Sequence, residues 1–284
     1  MSSVVVNGFF VGLIYGLLGV GVVLTYRGSR VINFAFGETG MIGAFVFLDL
    51  WTSSHLPLAL ALIIAVAVGA VIGGATDLFV VRPLRREPRL TVMVATYAVA
   101  SLLLVYGGRK WGTNPVYFPP LVSGGGIHVA GVAVQPQQLL ILGGSCALLA
   151  LLWAIYHLTP FGLKLRAIAI DPYAAGLVGV NVGRTSLLTW ALAGAVASIT
   201  AILIAPLVSF SVFYIDQLLL RGLAAALIGG LFSIWGAFAA GISIGIVEAL
   251  VQYKSPIAGI ADVIVAALIL AVVLIRPGGI VKSA

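Results

Sequence analysis

Charge is what this sequence has least of. Charged residues fill 8% of its 284 positions, against roughly 25% in soluble domains. A soluble fold would have too few charged side chains to cover its surface, so composition excludes an ordinary globular protein. Cysteine occurs once, as Cys146 inside an apolar run. No intramolecular disulfide can form, and cysteine usage leaves the redox compartment open. The three histidines, His55, His128 and His157, are far apart in sequence. No Cys/His cluster offers metal ligation, so neither a metal nor a cofactor is expected. The chain has no G-x-x-x-x-G-K-[ST] phosphate loop and no evident nucleophile–base constellation. It is expected to be no enzyme and to bind no ATP in that way. Polar stretches reach only about 30 residues, too short for a soluble domain.

What fills the chain instead is apolar: 62% of the residues are hydrophobic, and 35 are glycine. This is the composition of an integral membrane protein with closely packed helices. Residues 1–284 are expected to form a single transmembrane domain. We read about nine apolar segments, roughly 5–26, 31–50, 57–81, 90–106, 137–158, 186–207, 218–232, 236–252 and 259–275. The predicted fold is an all-α, polytopic helical bundle of about nine spans (eight to ten). The seventh segment is short and fits half of a helical hairpin with the eighth. No Lys or Arg precedes the first apolar run and further spans follow it. It is therefore expected to be a span and not a cleavable signal.

Orientation follows from the cations. With the N-terminus outside, eleven of the fifteen Lys and Arg residues fall on inward connections, from Arg27 and Arg30 to Arg276 and Lys282. Only Arg109, Lys110 and Lys254 fall outside, and Arg221 lies within a span. Positive charge gathers on the cytoplasmic side of membrane proteins, which predicts N-out and C-in and requires an odd number of spans. The bilayer accounts for the net charge of +7, and no nucleic acid partner is expected.

Small residues mark packing faces. Gly8, Gly12, Gly16 and Gly19 form one stripe. Ala65, Gly69 and Gly73 lead to Asp77, and Gly241, Gly245 and Ala249 run beside Glu248. Such stripes let helix backbones approach closely, and the acidic residues beside them should face other helices.

The stretch Arg27–Phe47 breaks the apolar pattern. It sets Asn33, Glu38 and Thr39 among aromatics and glycines. Polar groups at membrane depth are costly unless they face a cavity or a partner. The segment 31–50 is thus either one polar-interrupted helix or a broken, partly re-entrant one. Either Glu38 is satisfied structurally by a neighbouring helix, or it lines a transport path, where broken helices recur.

Two connections are long. Gly107–Gln135 carries Trp111, Tyr117, Phe118, Pro119 and Pro120, and reads as an extended or β-hairpin-like outer cap with interfacial aromatics. Thr159–Arg184 lies on the inward side. Leu163, Arg166, Ala167 and Ile170 recur there at helical spacing, with Lys164 on another face. Asp171-Pro172 caps and begins a second short helix, Pro172–Leu177, and Asn181 and Gly183 should end the unit. Periodicity alone serves a helix lying on lipid and a helix docking a protein equally.

Three separated stretches resemble the permease family of branched-chain amino acid ABC importers. The first runs from Gly12-Leu13-Ile14-Tyr15-Gly16-Leu17 through Asn33-Phe34-Ala35-Phe36-Gly37-Glu38 to Met41-Ile42-Gly43-Ala44. The second joins Phe161-Gly162, Arg166-Ala167, Asp171-Pro172 and Leu177-Val178-Gly179-Val180-Asn181. The third joins Ala225-Ala226-Leu227-Ile228-Gly229-Gly230 to Gly245-Ile246-Val247-Glu248-Ala249. The resemblance implies a multi-pass subunit of the bacterial inner or plasma membrane. Its implied partners are cytoplasmic ABC ATPases, a second permease subunit (a sister or a copy), an external substrate-binding protein and the lipid bilayer. In that family the second stretch sits at the ATPase surface, which favours docking. Candidate coupling residues are then Phe161, Gly162, Leu163, Lys164, Arg166, Ile170, Asp171 and Pro172. Candidate pathway residues are Tyr15, Asn33, Phe36 and Glu38. Phe36 stands where that family usually has histidine, which leaves the solute open, because related permeases serve urea, short amides and other amino acids. A different mechanism, an ion-coupled secondary transporter, would use Glu38, Asp77, Glu248 and Asp262, and an ungated small-solute channel is a third.

Overall fold

The computed structural model describes residues 1–122, 124–129, 132–255 and 259–275. Every apolar segment forms a helix, and among the described residues eleven α-helices account for most of the chain. They are α1 (Ser2–Ser29), α2 (Phe36–Leu48), α3 (Leu58–Thr76), α4 (Arg89–Trp111), α5 (Pro136–Leu158), α6 (Pro160–Ile170), α7 (Pro172–Leu177), α8 (Val182–Ile204), α9 (Tyr214–Gly229), α10 (Ile234–Lys254) and α11 (Ile260–Ile275). The π turns Asp49–Ser53 and Asp77–Val81 extend α2 and α3. Six helices are long and apolar enough to cross a membrane: α1, α3 with its π turn, α4, α5, α8 with the 3-10 turn that follows it, and α10. The protein is therefore an all-α membrane protein. The other three apolar helices are shorter, with 13 residues in α2 and 16 in each of α9 and α11. They fall below the roughly 20 residues of a straight crossing. Arg276, Lys282 and the side chain of Asp262 lie outside the described residues.

The chain divides into two compact units. One comprises Met1–Val23, Pro119–Cys146 and Gln217–Ala284. Here the predicted stripes meet. Gly8 faces Gly245 and Ala249, Gly12 faces Gly241 and Ile242, and Gly16 faces Phe238. Gly19 meets Gly222 and Ala225 in the same way. A Cβ at Gly12 would lie 2.7 Å from the Ile242 Cα, so the backbones touch where any side chain would hold them apart. The seventh and eighth segments do form a helical hairpin. Gly230 turns the chain at φ 94, Ser233 caps α10 by accepting from the Gly236 amide, and Gly229 packs on Gly236. Two short strands, β1 (Ile127–Val129) and β2 (Val132–Val134), pair antiparallel with Ile127 opposite Val134. This is the hairpin expected in the outer loop.

The other unit comprises Leu24–Phe118 and Ala147–Asp216. Its centre is the packing of α2, α3 and α8. Gly40 lies on the Ala197 carbonyl, Gly43 and Gly69 both close on Ser198, and Gly73 lies on Trp190. Buried hydroxyls are returned to the helix backbone. Thr39, Thr76, Thr189 and Thr200 donate to the carbonyls four residues earlier, at 2.7–2.8 Å. In an apolar surrounding this satisfies a donor that has no water to meet. Asp77 is fully buried, accepts from Ser186 Oγ at 2.6 Å and pairs with Arg85 at 3.4 Å. It therefore faces another helix, as its position beside the stripe predicts.

Aromatics close one end of α2. Phe45 stacks on Trp111 at 4.9 Å and lies 4.3 Å from Phe210, and Phe118 stacks on Phe47. Trp111 donates its indole N–H to Asp49 at 2.6 Å. Trp111 and Phe118, read from sequence as interfacial, belong to this packed cluster.

Candidate functional site

The segment singled out by its polar residues is unwound before it is helical. α1 ends at Ser29, and Arg30 adopts a left-handed φ of 59, uncommon for a side chain of its size. Residues 31–35 are not α-helical, and α2 begins only at Phe36. One continuous helix over 31–50 is thereby ruled out. The freed backbone groups find partners nearby, as buried polar groups must. The Asn33 carboxamide oxygen accepts from the Ala35 amide at 3.0 Å. The Phe34 amide donates to Thr96 Oγ1 at 3.2 Å, and that hydroxyl donates to the Met93 carbonyl at 2.8 Å. Asn33 and Phe36 are buried. Glu38 is buried too, in the first turn of α2, where the unpaired N–H groups of a helix start favour a carboxylate.

Tyr15 belongs to the unit containing α10. It is buried with Ala224, Ala225, Ile244 and Val265, and the Arg221 guanidinium lies 5.7 Å over its ring. Asn33, Phe36 and Glu38 share one short segment, whereas Tyr15 sits in this separate core. Arg221 pairs with Glu248 through three contacts of 2.7–3.0 Å.

In the long connection between α5 and α8 the two predicted helices are present, and the second has its predicted cap. Thr159 Oγ1 accepts from the Gly162 amide at the start of α6. Asp171 accepts from the amides of Tyr173 and Ala174 at the start of α7, which spans Pro172–Leu177. One expectation is corrected. Asn181 does not end the unit but caps the next helix, accepting from the Arg184 amide, so α8 starts at Val182. A side-chain acceptor three residues before a free amide is a start signal, and the following glycine misdirected the reading.

The expected single face of α6 also splits. Its inner face is Gly162, Leu165 and Ile168, with Phe161 half-buried beside it. Leu163 (63% exposed), Lys164 and Ile170 (82%) point outward, continued on α7 by Tyr173 and Leu177. Pro172 and Asp171 are exposed as well. Arg166 turns back toward the protein, with its guanidinium 5.9 Å over the Tyr156 ring, and Arg27 lies over the same ring at 4.7 Å. Gly162 presses on the Tyr156 carbonyl where α5 gives way to α6.

Sequence reasoning missed Arg30, which it counted only as a topological charge. Arg30 Nη2 donates to the carbonyls of Ala169 and Ile170, at the C-terminal end of α6. A guanidinium there meets the negative end of the helix dipole. The same residue opens the unwound stretch that leads to Asn33 and Glu38. A separation of 139 positions leaves no local sequence signal for such a contact.

These features agree with what comparison with known proteins finds. The family model for the "Branched-chain amino acid transport system / permease component" matches residues 4–273. The high-affinity branched-chain amino acid transport system permease protein LivH of Salmonella typhimurium is 29% identical, over 96% of this chain and 93% of its own. The corresponding protein BraD of Pseudomonas aeruginosa is 28% identical, over 97% and 94%. A probable branched-chain amino acid transport permease protein of Methanocaldococcus jannaschii is 30% identical, over 84% and 76%. With the family model covering nearly all of its apolar helices, the chain belongs to the family of branched-chain amino acid transport system permease components, multi-pass proteins of the cell membrane.

Proposed function

We propose that the chain is the passive pathway subunit of an ATP-driven importer for branched-chain or related small amino acids. In this reading residues 1–284 act as one permease domain. All nine apolar segments lie in the membrane, α2 as a broken, partly re-entrant element, with the N-terminus outside. The partners are cytoplasmic ATPases, a second permease subunit and an external substrate-binding protein. Asn33, Phe36 and Glu38 line part of the path, with Tyr15 contributing from α1. The ATPase docks on α6 and α7. Binding and hydrolysis of ATP shift the helices between two packings, one open to each side.

The observation that carries the reading is the outward apolar face of Leu163, Ile170, Tyr173 and Leu177 on two capped short helices. Apolar anchors at helical spacing suit a partner groove, and Arg30 connects the end of that helix to the unwound segment before α2. The engagement of Asp77 with Arg85 and Ser186, and of Glu248 with Arg221, disfavours ion coupling through those carboxylates. Co-purification with the ATPases, then leucine, valine and urea uptake in proteoliposomes with and without ATP, tests the whole scheme. Leucine and valine uptake that needs ATP and the binding protein is expected. Uptake driven by a sodium or proton gradient alone would overturn it.

A further inference from the structure

We propose that residues 208–213, the strap that leads from α8 into α9, close the transport path over the face of α2 that carries Glu38, with Phe210 as the closing side chain. The proposal rests on the reading of Glu38 as a path residue. Glu38, Met41 and Phe45 follow one another on α2 at intervals of three and four residues, so they share one face of the helix. At 1.5 Å per residue, Phe45 stands about 10 Å beyond Glu38 along that face.

The strap is seated at the far end of this face. Phe210 is buried, and its ring centre lies 4.3 Å from that of Phe45, 5.0 Å from Phe118 and 4.9 Å from Tyr214. Tyr214 is itself held by its hydroxyl, which donates to the Ala201 carbonyl at 3.2 Å. Val212 is the second buried side chain of the strap, and it meets Gly107 of α4 together with Met41. A Cβ at Gly107 would lie 3.1 Å from Met41 Cε and 3.5 Å from Val212 Cγ1, so strap, α2 and α4 converge there. Ser209 and Phe213, the neighbours of these two pegs, are exposed. A polar solute gains no hydrogen bond from phenyl rings and is excluded while the strap is seated.

Side chains make this seal, whereas the backbone adds little to it. Residues 208–213 are neither helix nor strand. Among the described residues one main-chain hydrogen bond ties the strap to another segment, from the Val116 amide to the Phe210 carbonyl at 2.7 Å. Val116 belongs to the loop after α4 that also brings Phe118 to the cluster. Segments with few backbone hydrogen bonds open locally at low cost, and loops of this kind gate enclosed sites. Both loops lie next to a point where the chain leaves this compact unit. Phe118 is its last residue before Pro119, and Asp216 its last before Gln217. A pull on either connection therefore acts directly on the seal.

The test uses the whole importer in proteoliposomes, with Cys146 replaced by serine. Single cysteines at Ser209 and Val212 are challenged with a membrane-impermeant maleimide, from whichever side labels Ser209→Cys. Ser209→Cys should react at one rate throughout, and Val212→Cys at least five-fold faster during ATP hydrolysis than at rest. Phe210→Ala should pass leucine without ATP at least five-fold faster than the wild type, while sucrose stays excluded. Exclusion of sucrose separates an opened path from a damaged protein. If Phe210→Ala fails to fold, Phe210→Leu takes its place, with a leak of at least two-fold expected. Suppose the wild type takes up leucine with ATP. Protection of Val212→Cys that ATP leaves unchanged, or a folded Phe210 variant without a leak, would then overturn the strap alone. A wild type whose leucine uptake ignores ATP would instead end the reading of the path on which the strap rests.

Discussion

Arg221 of α9 and Glu248 of α10 form a forked ion pair, with Nε 3.0 Å from both carboxylate oxygens and Nη2 2.7 Å from Oε1. Both side chains are largely buried, at 14% and 8% exposure. Gln252 donates to the same carboxylate from one turn further along α10, and the Tyr15 ring lies below the guanidinium. A cation within an apolar segment is tolerable because a partner neutralises it on site.

Removing one member strands the other. Glu248→Leu should destabilise the protein by about 3–5 kcal/mol, and Arg221→Met with Glu248→Leu should recover most of that loss. Thermal unfolding in detergent measures both. A Glu248→Leu protein as stable as the wild type would show that the pair carries no structural load.

Glu38 has a different environment, in the first turn of a half-length helix after unwound backbone. Glu38→Leu should lower uptake at least ten-fold while the complex still assembles. Normal uptake would remove Glu38 from the pathway. Failure to assemble would assign it a structural role.

Coupling should pass through α6. Leu163→Glu with Ile170→Glu alters only exposed positions, so the helices should fold and insert while ATPase binding is lost. Arg30→Gln should instead keep ATPase binding and reduce ATP-driven uptake, with partial rescue by Arg30→Lys, which retains the charge. Pull-down and uptake on the same preparations separate the two outcomes. Full uptake by the double variant would dismiss α6 as the docking element.

Helix contact should be readable from glycines. Gly69→Ala puts a methyl into the Gly194 carbonyl and Ser198, and should cost about 1–3 kcal/mol through overpacking. Gly143 in α5 has nothing within 4 Å of an added Cβ, so Gly143→Ala should be neutral or gain up to about 1 kcal/mol from helix propensity. Equal melting temperatures for the two variants would contradict this packing.

Orientation can be read by labelling. With Cys146 replaced by serine, single cysteines at Arg85 and Arg166 should react from the cytoplasmic side and one at Trp111 from outside. Reaction of all three from one side would exclude the N-out arrangement.

The sequence by itself determined the membrane setting, the helical class and the approximate place of every apolar helix. These follow from apolar run length and charge scarcity, which are properties of contiguous residues. It also placed the α6–α7 pair and the Asp171 cap of α7, because an N-cap and its amides are only two or three residues apart. Facing stripes such as Gly12 and Gly241 were visible one at a time, since each repeats at helical spacing. Which stripe meets which was decided only in three dimensions. The unwinding at residues 31–35 depends on partners such as Thr96, 62 positions from Phe34, and the helix lengths of α2, α9 and α11 emerged only in the structure. The cation at Arg221 became intelligible only through Glu248, and Arg30 changed from a topological charge to the cap of α6. Contacts between distant side chains leave no period in the chain, so tertiary packing alone brings them together.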